Sequence, residues 1–93
     1  MTGYDFEIAD GDRARAEDAL EEVEGVEVSL AGGVVSVAYG PDEVLARAWR
    51  VLAVLAGAGY SIYDPQRGRD VDVDEDFEAV LTTYTALQRL PGR

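Results

Sequence analysis

The feature that most limits what this chain can fold into is the order in which its apolar spacing changes. "YDFEI" alternates Tyr4, Phe6 and Ile8 with Asp5 and Glu7, the period of two expected of a strand with one buried and one solvated face. "GDRARAEDALEEVEG" then lengthens the period. Ala16, Ala19, Leu20 and Val23 recur at i, i+3, i+4 and i+7, Asp10 or Asp12 can cap the start, and Gly25 offers a left-handed stop, so a helix is predicted up to that glycine. "VEVSL" and "VVSVAY" return to period two on either side of "AGG", a β-hairpin pattern that turns Val26, Val28 and Leu30 inward with Val35, Val37 and Tyr39. "GPD" opens a second helix, with Pro41 at a first-turn position where its missing N–H is no loss, and "DEVLARAWRVLAVLAGAG" carries it to Gly57 and Gly59. "YSIY" is a fourth strand, "DPQRG" a polar turn, and "RDVDVD" a fifth strand with Val71 and Val73 on one side and three aspartates on the other. Phe77, Val80, Leu81, Tyr84 and Leu87 restore helical spacing until Pro91 and Gly92 stop it.

The order β-α-β-β-α-β, followed by a strand and a helix, with short connections and right-handed crossovers, predicts an α+β fold of a particular kind. It is a ferredoxin-like plait with both first helices on one face of an antiparallel sheet, plus a C-terminal strand and a helical extension over about residues 75–90. A length of 93 residues with 47% hydrophobic content suits one domain over residues 1–93 with a single core. The second helix is broader in its apolar face than one sheet needs. Beside the stripe of Val44, Leu45, Ala48, Val51, Leu52 and Leu55, it carries Trp49, Ala53, Val54 and Ala56. Either the last helix or a second chain must cover that surplus, which makes Trp49 and Val54 the candidate contacts of a homodimer.

Charge narrows the partners. Nineteen acidic residues against eight basic ones leave a formal net charge of −11, which argues against nucleic acid or an anionic membrane and favours a protein with a basic surface. Every basic residue is arginine. That choice, with so much Asp and Glu, also fits a GC-rich bacterial or archaeal genome or a halophile whose acidity serves solubility in salt. The lack of cysteine and histidine removes thiolate metal sites, cysteine nucleophiles and the commonest neutral-pH general base, and no cofactor is implied. "MTGYDFEIAD" has no basic region followed by an apolar run, and no apolar stretch nears the roughly 18 residues of a membrane span, so a cytoplasmic protein is expected.

"DVDVDEDFEAV", Asp70 to Val80, invites comparison with a calcium loop. Asp70, Asp72 and Asp74 match its opening, but Glu75 stands where the sharp turn needs glycine and Leu81 where the bidentate glutamate belongs. A strand edge leading into a helix start explains the run better, since Asp74, Glu75 and Asp76 complement a helix dipole by about 0.3–1 kcal/mol each and acidic edges discourage edge-to-edge pairing.

Two resemblances bear on function. "EDALEEVEGVEVSLAGGVVSVAYGP" with the later "GAGY" resembles the heavy-metal-associated domain of copper chaperones and metal-transport ATPases, through Leu20, Val23, Gly25, Val26, Val35, Val37, Tyr39, Pro41, Gly59 and Tyr60 over about two thirds of the chain. The resemblance implies a ferredoxin-like fold. That family's activity lies in a Cys-x-x-Cys whose positions here fall on Ala9 and Asp12, so a degenerate domain without metal function is what remains. "YDPQ", Tyr63-Asp64-Pro65-Gln66 with Gly68 after it, is similar to a turn in small acidic bacterial proteins of immunity or antitoxin type, and is also good hairpin chemistry in its own right.

Enzyme signals are poor. The pairs Asp10/Asp12 and Asp5/Glu7 lie on polar faces, Ser29, Ser36 and Ser61 lack a histidine base, and neither "AGG" nor "GAG" opens a helix as a phosphate loop must, so no catalytic residues are assigned. The leading expectation is therefore a non-catalytic protein-binding module, of inhibitor, immunity or antitoxin type. Its surface would be the sheet face opposite the helices: Asp5, Glu7, Glu27, Ser29, Ser36 and Tyr63, with Asp70 and Asp72 if the fifth strand joins. The alternative is a small-ligand regulatory domain that pairs through Trp49 and Val54.

Overall fold

A computed structural model of the chain describes residues 3–89. Along them run β1 (Gly3–Ala9), α1 (Arg13–Ala19), β2 (Val26–Ser29), β3 (Val34–Ala38), α2 (Asp42–Gly57), β4 (Ser61–Asp64), β5 (Arg69–Asp70) and α3 (Phe77–Gln88). The strands form one antiparallel sheet in the order β2-β3-β1-β4-β5, so the fold is α+β with β1 at the centre. The Pro91–Gly92 stop expected for the last helix lies outside the described residues.

Alternation along the strands divides the sheet into two unlike faces. Tyr4, Phe6, Ile8, Val35, Val37 and Ile62 are buried on one of them, where α1 contributes Ala16, α2 contributes Leu45, Ala48, Val51, Leu52 and Leu55, and α3 contributes Val80 and Tyr84. Each large side chain removed from water there is worth about 1.5–3 kcal/mol. The opposite face carries no helix among the described residues. On it Glu7, Glu27 and Ser29 are exposed and Asp5, Val34 and Ser36 half-buried.

The last helix takes up the surplus apolar surface of α2. Phe77 meets Trp49 edge-on at 5.2 Å, Trp49 meets Phe6 at 6.4 Å, and the Trp49 Nε1–H donates to the Val73 carbonyl at 2.8 Å. Tyr84 packs against Tyr4 and Tyr39 and donates its hydroxyl to the Ala38 carbonyl at 2.6 Å, while Gln88 Nε2 donates to the Gly40 carbonyl at 3.2 Å. α3 thus covers the Trp49 end of that surplus, while Ala53 stays exposed and Val54 half-buried.

Three boundaries differ from those the periodicity predicts. α1 ends at Ala19 instead of running to Val23, with Leu20 already extended. Continuing it would stack Glu17 on Glu21 and Asp18 on Glu22, like charges four apart at the negative end of the helix dipole. β5 is two residues long rather than six, because side chains claim the backbone beyond it: Asp72 Oδ1 accepts the Asp74 N–H at 2.9 Å and Trp49 takes the Val73 carbonyl. β4 extends one residue further than "YSIY", which converts Asp64 from a turn residue into an inward-pointing strand residue.

Candidate functional site

The register of the sheet lines up the open face in two rows. Glu27, Ser36 and Asp5 are successive cross-strand partners from β2 through β3 to β1. Ser29, Val34, Glu7, Tyr63 and Asp70 form the next row, across all five strands. With strands about 4.8 Å apart, the carboxyl groups of the first row stand on the order of 10 Å from one another. Seven of the eight residues expected on the partner-binding surface, Asp5, Glu7, Glu27, Ser29, Ser36, Tyr63 and Asp70, therefore share one face.

Asp72 does not join them. Its N–H goes to Asp76 Oδ2 at 2.8 Å within a turn past the end of the ladder. Among the described residues, no group of three or more acidic side chains is placed to hold a metal ion.

None of the four carboxylates on the face has an ion-pair partner among the described residues, where the one salt bridge joins exposed Arg13 and Glu17 at 2.8 Å. Between Glu7 and Asp70 stands Tyr63, 38% exposed and the one large hydrophobic side chain on the surface of the described residues. Carboxylates without counter-charges around an aromatic ring make a surface that attracts cations at a distance and offers one apolar anchor at contact.

A buried polar latch holds this face in shape. At Asp5 the neighbouring strand β4 has already turned away, and the side-chain amide of Gln66 stands in for a strand peptide: its Oε1 accepts the Asp5 N–H at 3.1 Å and its Nε2 donates to the Asp5 carbonyl at 2.7 Å. Asp64 organises the turn that brings Gln66 there. Its Oδ1 accepts from the Gln66 N–H at 2.9 Å, the Arg67 N–H at 3.2 Å and Gln66 Nε2 at 2.7 Å. Its Oδ2 accepts the Tyr4 hydroxyl from the central strand. Gly68, at φ +69°, completes the turn and donates its N–H to the Asp64 carbonyl at 2.7 Å.

Asp64 is fully buried, the one charged residue so placed among those described. Its surroundings mark Tyr4: burial first, then the hydrogen bond to Asp64 and the negative charge of that carboxylate, push the phenol well above its ordinary range, against a smaller pull downward from Arg67. Tyr84 is raised as well, chiefly by burial. Arg67 Nη1 is buried without a hydrogen-bond partner among the described residues.

"YDPQ" is accounted for as this latch, with Asp64 and Gln66 committed inward and Tyr63 alone of the four presented on the open face as a large apolar group. Asp64 and Gln66 were not among the expected site residues. The signal available was parity: once Ile62 is inward, so is Asp64, and a buried carboxylate demands donors.

The positions at which the heavy-metal-associated family carries its cysteines have structural duties here. Ala9 pairs with Ser61 in the sheet, and Asp12 caps α1 by accepting the Arg15 N–H at 3.1 Å while donating its own N–H to the Ala58 carbonyl at 2.9 Å. Between them Gly11 lies so close to the Tyr60 ring that an added Cβ would come within 2.0 Å of it. Trp49 is half-buried and its indole is engaged with Phe6, Phe77 and the Val73 carbonyl, so the Trp49 part of the apolar surplus is covered within one chain, whereas Val54 is half-buried and Ala53 exposed.

No protein-family model, no curated protein and no solved structure matches the chain. No helix among the described residues is long and apolar enough to cross a membrane.

Proposed function

We propose that this chain is a small acidic, non-catalytic binding module whose open sheet face captures a protein with a basic surface, as an inhibitor, immunity protein or antitoxin-like partner would. One observation carries the reading: Glu27, Asp5, Glu7 and Asp70 stand on a single helix-free face, without ion-pair partners among the described residues, and two of them, Glu7 and Asp70, flank the exposed ring of Tyr63. Aromatic residues are favoured anchors of interfaces, and unpaired charges around one speed and orient encounter.

The strand order β2-β3-β1-β4, with α1 and α2 on one side, supports assigning the scaffold to the ferredoxin-like plait, to which β5 and α3 are additions. On that assignment the likeness to heavy-metal-associated domains is one of scaffold, since Ala9 and Asp12 hold a strand and a helix cap. For the regulatory-dimer alternative, Trp49 is engaged inside the chain, which leaves half-buried Val54 and exposed Ala53 as its remaining contacts.

The test is capture of a partner from a native lysate by the immobilised chain at low and at high salt, beside the variant Asp5→Asn/Glu7→Gln/Glu27→Gln. The wild-type chain is expected to hold a basic protein at low salt and release it at high salt, and the variant to associate about tenfold more slowly. Equal capture by the two chains would mean that the acidity serves solubility alone.

A further inference from the structure

The early end of α1 has a consequence at the edge of the sheet. Leu20 and Val23 lie on the apolar stripe of the helix predicted to reach Gly25, yet here they belong to an extended segment and are only half-buried. With Val26 and Val28 of β2 they floor a groove of about 790 Å³ along the outer side of that strand. Exposed Glu21, Glu22, Glu24 and Glu27 rim it, and none has an ion-pair partner among the described residues.

β2 is an edge strand, bonded to β3 alone. The Ala38 N–H donates to the Gly25 carbonyl at 2.7 Å, so in the alternating pattern of an antiparallel ladder the backbone groups of Glu27 and Ser29 face β3 and those of Val26 and Val28 face outward. The outward Val26 N–H is taken by the Val23 carbonyl at 3.1 Å. The N–H and carbonyl of Val28 are left as an open pairing position directly above the groove.

The geometry points to β2 as a docking edge for an extended cationic segment of a partner protein, which adds to the sheet as a further strand, places every second, apolar side chain in the groove and its arginines or lysines on the glutamate rim. Charge selects this occupant over a second copy of the chain. Two β2 edges brought together would oppose glutamate rim to glutamate rim on molecules of net charge −11, and like charges across a strand pair are destabilising. Main-chain pairing supplies affinity in such strand addition, and the alternate pockets supply selectivity. This edge is separate from the Asp5, Glu7 and Tyr63 plane, and the inference holds whether or not that plane binds anything.

The probe is an octapeptide of alternating arginine and valine, titrated at low salt into the isotope-labelled full chain while backbone amide signals are followed. A second peptide of the same sequence is N-methylated at alternate residues, which deletes ladder donors without touching the protein. The expected result is signal movement concentrated in residues 20–30 and affinity about tenfold lower for the methylated peptide, as loss of one or two hydrogen bonds implies. Glu21→Gln/Glu22→Gln/Glu24→Gln should weaken binding and flatten its salt dependence, while Asp5→Asn/Glu7→Gln should leave it unchanged. Movement confined to Asp5, Glu7 and Tyr63, indifference to N-methylation, no binding at all, or broadening of β2 signals with protein concentration in the absence of peptide would each overturn the assignment. The first of these outcomes would leave the open-face function standing; loss of capture by Asp5→Asn/Glu7→Gln, which spares Glu27 of the groove rim, would leave the edge standing.

Discussion

Replacing Tyr4 by phenylalanine deletes one hydroxyl and leaves the ring in the core. The consequence falls on Asp64. Its Oδ1 keeps three N–H donors, but its Oδ2, fully buried, loses the Tyr4 hydroxyl, the sole partner identified for it among the described residues. Stranding a buried acceptor costs about 1–3 kcal/mol, with the charged case toward the upper end. A loss near 2.5 kcal/mol lowers the melting temperature of a domain of this size by about 10–20 °C. The assay is a double-mutant cycle in urea, with Tyr4→Phe made in the wild-type chain and in Asp64→Ala, and equal m-values required throughout. In the Asp64→Ala background the hydroxyl has no carboxylate to serve, so Tyr4→Phe should be close to neutral and the coupling should exceed about 1.5 kcal/mol. A cost for Tyr4→Phe that is the same in both backgrounds would refute the latch.

Three further outcomes follow from the same contacts. Gln66→Ala removes the amide that stands in for a strand at Asp5; it should cost about 1–2 kcal/mol and speed hydrogen exchange at the Asp5 amide. Tyr4 and Tyr84 are both raised, so the folded state holds their protons more tightly than the unfolded chain does. Their contribution is complete below the unfolded tyrosine value of about 10 and is lost as pH rises beyond it, so alkaline titration should produce tyrosinate absorbance from these two residues together with loss of the folded far-ultraviolet signal; early, separate ionisation of both would contradict their burial. Truncation after Asp76 should uncover Trp49 and Tyr39, shift the tryptophan emission to longer wavelength and create binding sites for an apolar dye, whereas unchanged emission would show that α3 does not cover α2.

The inward and outward faces of β1, β2, β3 and β4 were legible in the sequence because alternation is a local property that a strand obeys whatever its neighbours are. Hence the pattern of Asp5, Glu7, Glu27 and Tyr63 could be assigned to a solvated face, and Tyr4, Phe6, Val35 and Val37 to a core. α2 was legible because its stripe is long and strongly periodic. The errors came where a side chain competes with the backbone. Asp72 takes a backbone N–H and Trp49 a backbone carbonyl, which ends β5 after two residues in a stretch whose alternation alone predicts six. Repulsion among Glu17, Asp18, Glu21 and Glu22 ends α1 before its apolar stripe does.

By itself, then, the sequence determined the number and kind of elements, their apolar sides, and the acidic character of the chain. The tertiary structure alone decided which strands became neighbours, and through that register it set Glu7 of β1 and Asp70 of β5 on either side of Tyr63. It also joined Tyr4 to Asp64 across sixty positions of chain. The physical reason is that apolar periodicity is written along the backbone within a few residues, whereas pairing, burial of a carboxylate and the choice of its donors depend on groups that meet only after the chain has folded.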